Sequence, residues 1–195
     1  VEDHPESIVS MYVVRNFFLQ KDNPDFATAR LLIDKMIESQ PKNNALKTLQ
    51  QTVRNHTPIA HNSSVPKFAA YDINGKQVNN TMLAKADTAV VIAWATWNYN
   101  SVSMLQTVAQ IQKEKGSKMK VLGVCLDYSR SLCRTALRQR DMNDVPTVCD
   151  GKAVDGDVYN RLGMSNLPDN IVIEKGKVTA TGLTLEQLRK KLGKE

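Results

Sequence analysis

The alternation of hydrophobic and polar positions changes period near residue 66. Before that point apolar residues recur at helical spacing. Residues 5–20 place Ile8, Met11, Tyr12 and Phe18 on one face, and residues 23–40 place Ala29, Leu32, Ile33, Met36 and Ile37 together. Residues 41–56 repeat the pattern with Leu46, Leu49 and Val53. Asn23 followed by Pro24 has the form of a helix start, a cap residue with proline behind it. Three short amphipathic helices in about 50 residues bury little apolar surface by themselves. The pattern therefore predicts that they pack on another element. The stretch TPIAHNSSVP (57–66) is polar, bounded by prolines, and reads as a linker.

Beyond the linker the chain alternates extended and helical patterns. KFAAYDINGKQV holds Asn74-Gly75 between two extended runs, a hairpin signal. TAVVIAWA (88–95) is a continuous apolar run of the kind buried on both faces of a sheet, and KVLGVCLD (120–127) is a second. Between them, Met104, Leu105, Val108 and Ile111 recur at helical spacing before Gly116. SRSLCRTALRQRD reads as a helix, VPTVCD as a short strand and GDVYNRLG as a short helix. A hairpin turning at Lys175-Gly176 follows, and then a helix capped by Thr184. A β-α-β half followed by a β-β-α half predicts an α/β sandwich with a mixed sheet.

Composition narrows the function classes. The chain has 195 residues, 42% hydrophobic and 24% charged, enough to bury a core. No apolar run approaches the roughly 20 residues that span a bilayer. The opening Val1-Glu2-Asp3-His4 has no signal-peptide character and no Met, so a processed or a trimmed chain is expected. The net charge of +6 is dispersed. Its one dense stretch, Arg189-Lys190-Lys191, suits the last turn of a helix, so nucleic acid is not an expected partner. Three cysteines, Cys125, Cys133 and Cys149, form no CxxC pair and no metal-ligand spacing. His4, His56 and His61 are dispersed, and neither a metal nor a cofactor is expected. Cys125 and Cys149 lie on predicted strands, each one or two residues before a strand-ending aspartate, Asp127 or Asp150. If those strands are neighbours, the two sulfurs come towards disulfide range. The competing reading makes each a small buried apolar residue, and Cys133 a helix-packing residue.

Candidate chemistry gathers at WATWNYNS (94–101), which holds both tryptophans of the chain. Asn98, Asn100 and Ser101 are all good helix caps. The order VPKFAAYDINGKQV, TAVVIAWATW, helix, KVLGVCLD, LPDNIVIEKGKV resembles the thioredoxin-like thiol–disulfide oxidoreductases of the bacterial cell envelope. These are relatives of the alkyl-hydroperoxide-reductase superfamily, and the resemblance spans residues 65–193. It implies a thioredoxin-like three-layer α/β sandwich over 65–195, preceded by an N-terminal helical region over 1–60. In that family the strand end continues W-A-x-W-C-x-x-C. The first Cys sits at a helix N-terminus that stabilises its thiolate, and the second closes the disulfide.

Matching the tryptophans places Asn98 at the first Cys and Ser101 at the second. Asn carries no ionisable group near neutral pH, and Ser forms no disulfide. The family's E-M-P after the second Cys is replaced by Met104, Leu105 and Gln106. No catalytic residue is therefore assigned to this site. The resemblance also implies a cis-proline opposite the motif, at Pro168. The expected binding groove comprises Trp94, Trp97, Asn98, Tyr99, Asn100, Ser101, Leu167 and Pro168, and the expected occupant is a protein or peptide. The resemblance further implies a cell-envelope or periplasmic location, with membrane anchoring through an upstream lipidated segment. Two alternatives stand beside this reading. One is thiol–disulfide interchange through Cys125 and Cys149. The other is a structural domain that interacts through its N-terminal helices.

Overall fold

The computed structural model describes residues 3–19, 25–55 and 59–194. The chain divides into two compact units, Val1–Pro58 and Ile59–Glu195. The first unit holds helices α1 (Ile8–Val13), α2 (Phe26–Ser39) and α3 (Asn44–Asn55), with a π-helical turn at Val14–Leu19. Its core is Val14, Ala29, Leu32, Ile33, Met36, Leu46 and Val53. The expected Asn23-Pro24 start lies outside the described residues. The cap of α2 is Asp25, whose carboxylate accepts the Thr28 N–H at 3.0 Å. Ile8 and Tyr12, expected inward, are 79% and 62% exposed. The inward positions of this segment are Ser10 and Val14, with Met11 and Phe18 packed against the core. The helix around Ile8 is too short to fix its face by periodicity alone.

The second unit is built on a five-stranded mixed sheet. Its strands are β3 (Thr88–Trp94), β4 (Met119–Cys125), β5 (Thr147–Val148), β6 (Asp169–Glu174) and β7 (Lys177–Thr181). The spatial order is β5-β4-β3-β6-β7. β3 pairs in parallel with β4 and antiparallel with β6, so it lies at the centre. Side chains alternate across the sheet. Val90, Ile92 and Trp94 enter one core with residues of α5 (Tyr99–Lys115), α6 (Arg130–Gln139) and α8 (Leu185–Lys191). Ala89, Val91, Ala93 and Ala95 enter the other with residues of α4 (Asn80–Ala84) and α7 (Asp157–Arg161). The two cores make three layers, and the apolar run of β3 follows from burial on both faces.

The first hairpin is a separate two-stranded sheet of β1 (Ala69–Tyr71) and β2 (Gln77–Asn79). Asn74-Gly75 does not form a two-residue turn. It lies in a longer loop that the buried Asp72 carboxylate organises by accepting the Asn74 and Lys76 N–H groups at 2.9 and 2.8 Å. Lys175-Gly176 does form a two-residue turn, with φ of 50° and 78°, the left-handed pair that hairpins prefer. The linker expected over 57–66 is corrected for its described part. Asn62 donates to the Val178 carbonyl, Ser63 accepts from the Val178 N–H, and Ser64 bridges to Lys177. Residues 62–64 thus cover the outer edge of β7, and Val65 is buried.

Trp94 reaches the α5 side of the sheet across Gly123. A Cβ at Gly123 would lie 2.7 Å from Thr147 Oγ1 and 3.0 Å from Trp94 Nε1. Gly123→Ala is therefore expected to overpack this core and destabilise the protein by about 1–3 kcal/mol in urea denaturation. An unchanged midpoint would show that Trp94 and Thr147 can yield.

Candidate functional site

The carboxyl ends of β3, β4 and β5 lie side by side because the three strands are parallel. In α/β sheets this end carries the ligand crevice. β3 delivers Ala95–Trp97 to it, and α5 starts there. Asn98 is the N-cap of α5, its Oδ1 accepting the Ser101 N–H at 2.9 Å. Its Nδ2 donates to the Leu167 carbonyl at 3.4 Å. The Leu167–Pro168 peptide is cis, so Asn98 faces the segment that the resemblance set opposite it. Ser101 is fully buried. Its Oγ accepts the Ala95 N–H at 3.1 Å and donates to the Asn98 carbonyl at 2.8 Å. Met104 is buried too, with its sulfur 3.5 Å from Asn170 Nδ2.

Not every expected groove residue lies on the surface. Trp94 and Ser101 are each 0% exposed, so they form the floor beneath the site. Trp94 belongs to the α5-side core by strand alternation, which the strand-end position alone did not reveal. Trp97 and Tyr99 are 70% and 83% exposed, and Asn100 is exposed beside them. Leu167 and Pro168 are half-buried. Tyr128, just past β4, is 80% exposed and was not anticipated. Its signal was an aromatic residue directly after a strand-ending aspartate.

Behind this surface lies a second constellation. The sulfurs of Cys125, Cys133 and Cys149 lie within 4.8 Å of one another, and all three are buried free thiols. Cys125 ends β4, Cys149 follows β5, and Cys133 sits in the first turn of α6 behind the Ser129 cap. The anticipated proximity of Cys125 and Cys149 follows from the β4–β5 pairing. Cys133 joins them because α6 returns over the same face, a tertiary fact that no spacing encodes. Hydrogen bonds from Cys125 and then Cys133 favour a thiolate at Cys149 and hold its pKa below the ordinary thiol range. The bonds to Cys133 and Cys149, together with burial, push Cys125 up. At Cys133 the bond with Cys125 lowers the pKa, but the bond with Cys149 and burial outweigh it.

Asp127 joins the two constellations. Its carboxylate is 4% exposed. Oδ2 accepts the Thr96 N–H at 3.0 Å and Oδ1 accepts the Thr96 hydroxyl at 3.0 Å. The Cys125 thiol donates to Oδ2 at 3.2 Å. The Asp127 carbonyl lies 3.5 Å from Cys149 Sγ.

This fold is thioredoxin-like. A thiol-disulfide oxidoreductase from Bacteroides fragilis superposes with a TM-score of 0.59 at 23% identity, covering 67% of this chain and 98% of its own. The C-terminal domain of a putative thiol-disulfide oxidoreductase from Bacteroides thetaiotaomicron matches with a TM-score of 0.59 at 23% identity, over 71% and 95% of the two chains. A DsbF homologue from Corynebacterium diphtheriae matches with a TM-score of 0.56 at 20% identity, over 68% and 86%. No family model matches the sequence, and no curated protein matches it. The likeness is one of fold.

Two tests follow from the site's chemistry. Asn98→Ala removes the α5 cap and is expected to cost about 1 kcal/mol in urea denaturation. A loss well below that would mean that the helix end is satisfied without it. Asp169, directly after Pro168, is 6% exposed. Burial raises its pKa above the ordinary 3.8, although the backbone N–H groups of Ser165, Asn166 and Asn170 oppose the shift. Between 3.8 and the raised value the native state binds more protons than the unfolded state, so stability falls as pH rises through that window. Asp169→Asn is expected to flatten this slope. An unchanged slope would assign it to another group.

Proposed function

We propose that this protein is a non-catalytic thioredoxin-fold module that binds an extended protein or peptide segment. The observation that carries the reading is the state of Asn98 and Ser101. They stand where the resembled enzymes hold their cysteines, and their polar groups serve the cap and the strand end. Neither residue can form or receive a mixed disulfide. The exposed rings of Trp97 and Tyr99 beside the Leu167–Pro168 segment supply amphipathic contact surface of the kind used in recognition. A cell-envelope location, with anchoring through an upstream lipidated segment, accords with the resemblance.

A second reading draws on the three clustered thiols, which would perform interchange through Cys125 and Cys149. Their burial at 2% and 2% weighs against direct attack on a protein disulfide.

Reduction of insulin by dithiothreitol is expected to run at the buffer rate in the presence of the protein. Acceleration would overturn the non-catalytic reading, and its loss in Cys125→Ser would transfer the activity to the buried cluster. The double change Asn98→Cys and Ser101→Cys is expected to confer measurable turnover, because the helix N-terminus that would stabilise a thiolate is intact. For the binding role, a peptide array probed with the protein should yield ligands whose affinity falls about tenfold or more in the Trp97→Ala/Tyr99→Ala double variant, since aromatic anchors dominate such contacts. Equal binding by the variant would exclude this surface.

A further inference from the structure

We propose that the three-cysteine cluster, completed by the Asp127 carboxylate, binds a single Zn(II) ion. The donors are Cys125, Cys133 and Cys149, with sulfurs within 4.8 Å of one another, and Asp127 Oδ2, which lies 3.2 Å from Cys125 Sγ. A tetrahedral zinc site has Zn–S of about 2.3 Å and Zn–O of about 2.0–2.2 Å. Such a shell sets sulfurs about 3.8 Å apart and sulfur to oxygen about 3.5 Å apart. Closing that shell draws the three sulfurs about 1 Å nearer one another. It also requires the Asp127 carboxylate, which lies against Cys125 but not within 4.8 Å of all three sulfurs, to swing towards the centre of the trio.

The donors are carried by ordered elements. Cys125 ends β4, Cys149 follows the adjacent β5, and Cys133 lies in the first turn of α6. Asp127 is held from behind by both the N–H and the hydroxyl of Thr96. That arrangement orients a ligating carboxylate, as outer-shell partners of metal sites do. Three packing cysteines would need no such neighbour. A buried carboxylate that already accepts the thiol of one member of the trio, Cys125, has a use as a fourth ligand.

The charge and the donor types select the ion. On binding, the S–H bonds of the cysteines still protonated break and release their protons to solvent, water leaves the aquated ion, and three Zn–S bonds and one Zn–O bond form. The site then carries the ion's two positive charges against four negative ones, the same balance as a four-cysteine zinc site. Copper(I) would be content with thiolates alone, whereas a mixed sulfur and carboxylate set suits zinc. No open coordination position remains, so the ion is structural. It would also fix Thr96, and through it the chain leading to Trp97.

The site is independent of the peptide-binding reading, and neither stands or falls with the other. The test begins with the full chain, reduced and freed of metal. One equivalent of Zn(II) is added and excess is removed by gel filtration. The expected result is one zinc per chain by elemental analysis, with three thiols protected from alkylation. Cobalt(II) should give visible bands of tetrahedral thiolate coordination. Asp127→Asn and Cys133→Ser should each weaken zinc binding by about tenfold or more. Circular dichroism checks that the variants fold, and the wild-type stoichiometry stands without them. Several outcomes would overturn the proposal. One is three alkylatable thiols with no retained zinc, the behaviour of a packing cluster. Another is a disulfide in protein isolated without reductant, with no zinc retained after its reduction. A third is retained metal whose affinity is unchanged in Asp127→Asn.

Discussion

The burial of β3 on both faces is the constraint on which the rest of the second unit depends. A strand with β4 on one side and β6 on the other can expose nothing except its ends. Its period-2 alternation divides Val90, Ile92 and Trp94 from Ala89, Val91 and Ala93, and so divides the protein into two cores. Larger residues on one face and mostly alanines, with Val91, on the other set how closely the helices approach. Because β3 cannot end in water without releasing its last backbone groups, its carboxyl end is tied down locally. Ser101 takes the Ala95 N–H, and Asp127 takes that of Thr96.

Asp127 is the sharper case of the same constraint. A carboxylate at 4% exposure is costly unless its oxygens are satisfied. Two donors from Thr96 and the Cys125 thiol satisfy them. The residue therefore couples the loop before α5 to the interior thiols. The exposed surface around Trp97 and the buried cluster are two sides of one hydrogen-bonded joint. A change in the protonation or ligation of the thiols alters what Asp127 can offer to Thr96.

Much of this was legible in the sequence, and the exceptions have physical reasons. The continuous apolar runs located β3 and β4, and the cap chemistry of Asn98 located the start of α5. The left-handed preference of Lys175-Gly176 located the β6–β7 turn. Asn74-Gly75 gave the hairpin but not its loop, because the deciding group was the side chain of Asp72. The faces of the first helix were misjudged at Ile8 and Tyr12, where six residues carry too little periodicity. Trp94 was placed at the surface of the site by its position, and at its floor by the parity of the strand. Cys125 and Cys149 could be paired from strand adjacency. Cys133 could not, because its place depends on the return path of a helix.

On the proposed reading, asparagine at 98 and serine at 101 keep the scaffold consistent while changing its chemistry. A helix N-terminus presents unpaired N–H groups and a partial positive charge. A cysteine there is activated as a thiolate because the thiolate answers that field. Asparagine answers it differently, by placing a neutral oxygen on the Ser101 N–H. The same backbone groups that would lower a thiol pKa are then occupied in holding the helix. Ser101 likewise satisfies the strand end that a buried second sulfur would leave less well bonded, since sulfur is a weak acceptor. Asn98 and Ser101 thus supply local hydrogen bonding to the helix start and the strand end, while the three thiols lie buried in the interior beside the Asp127 carboxylate.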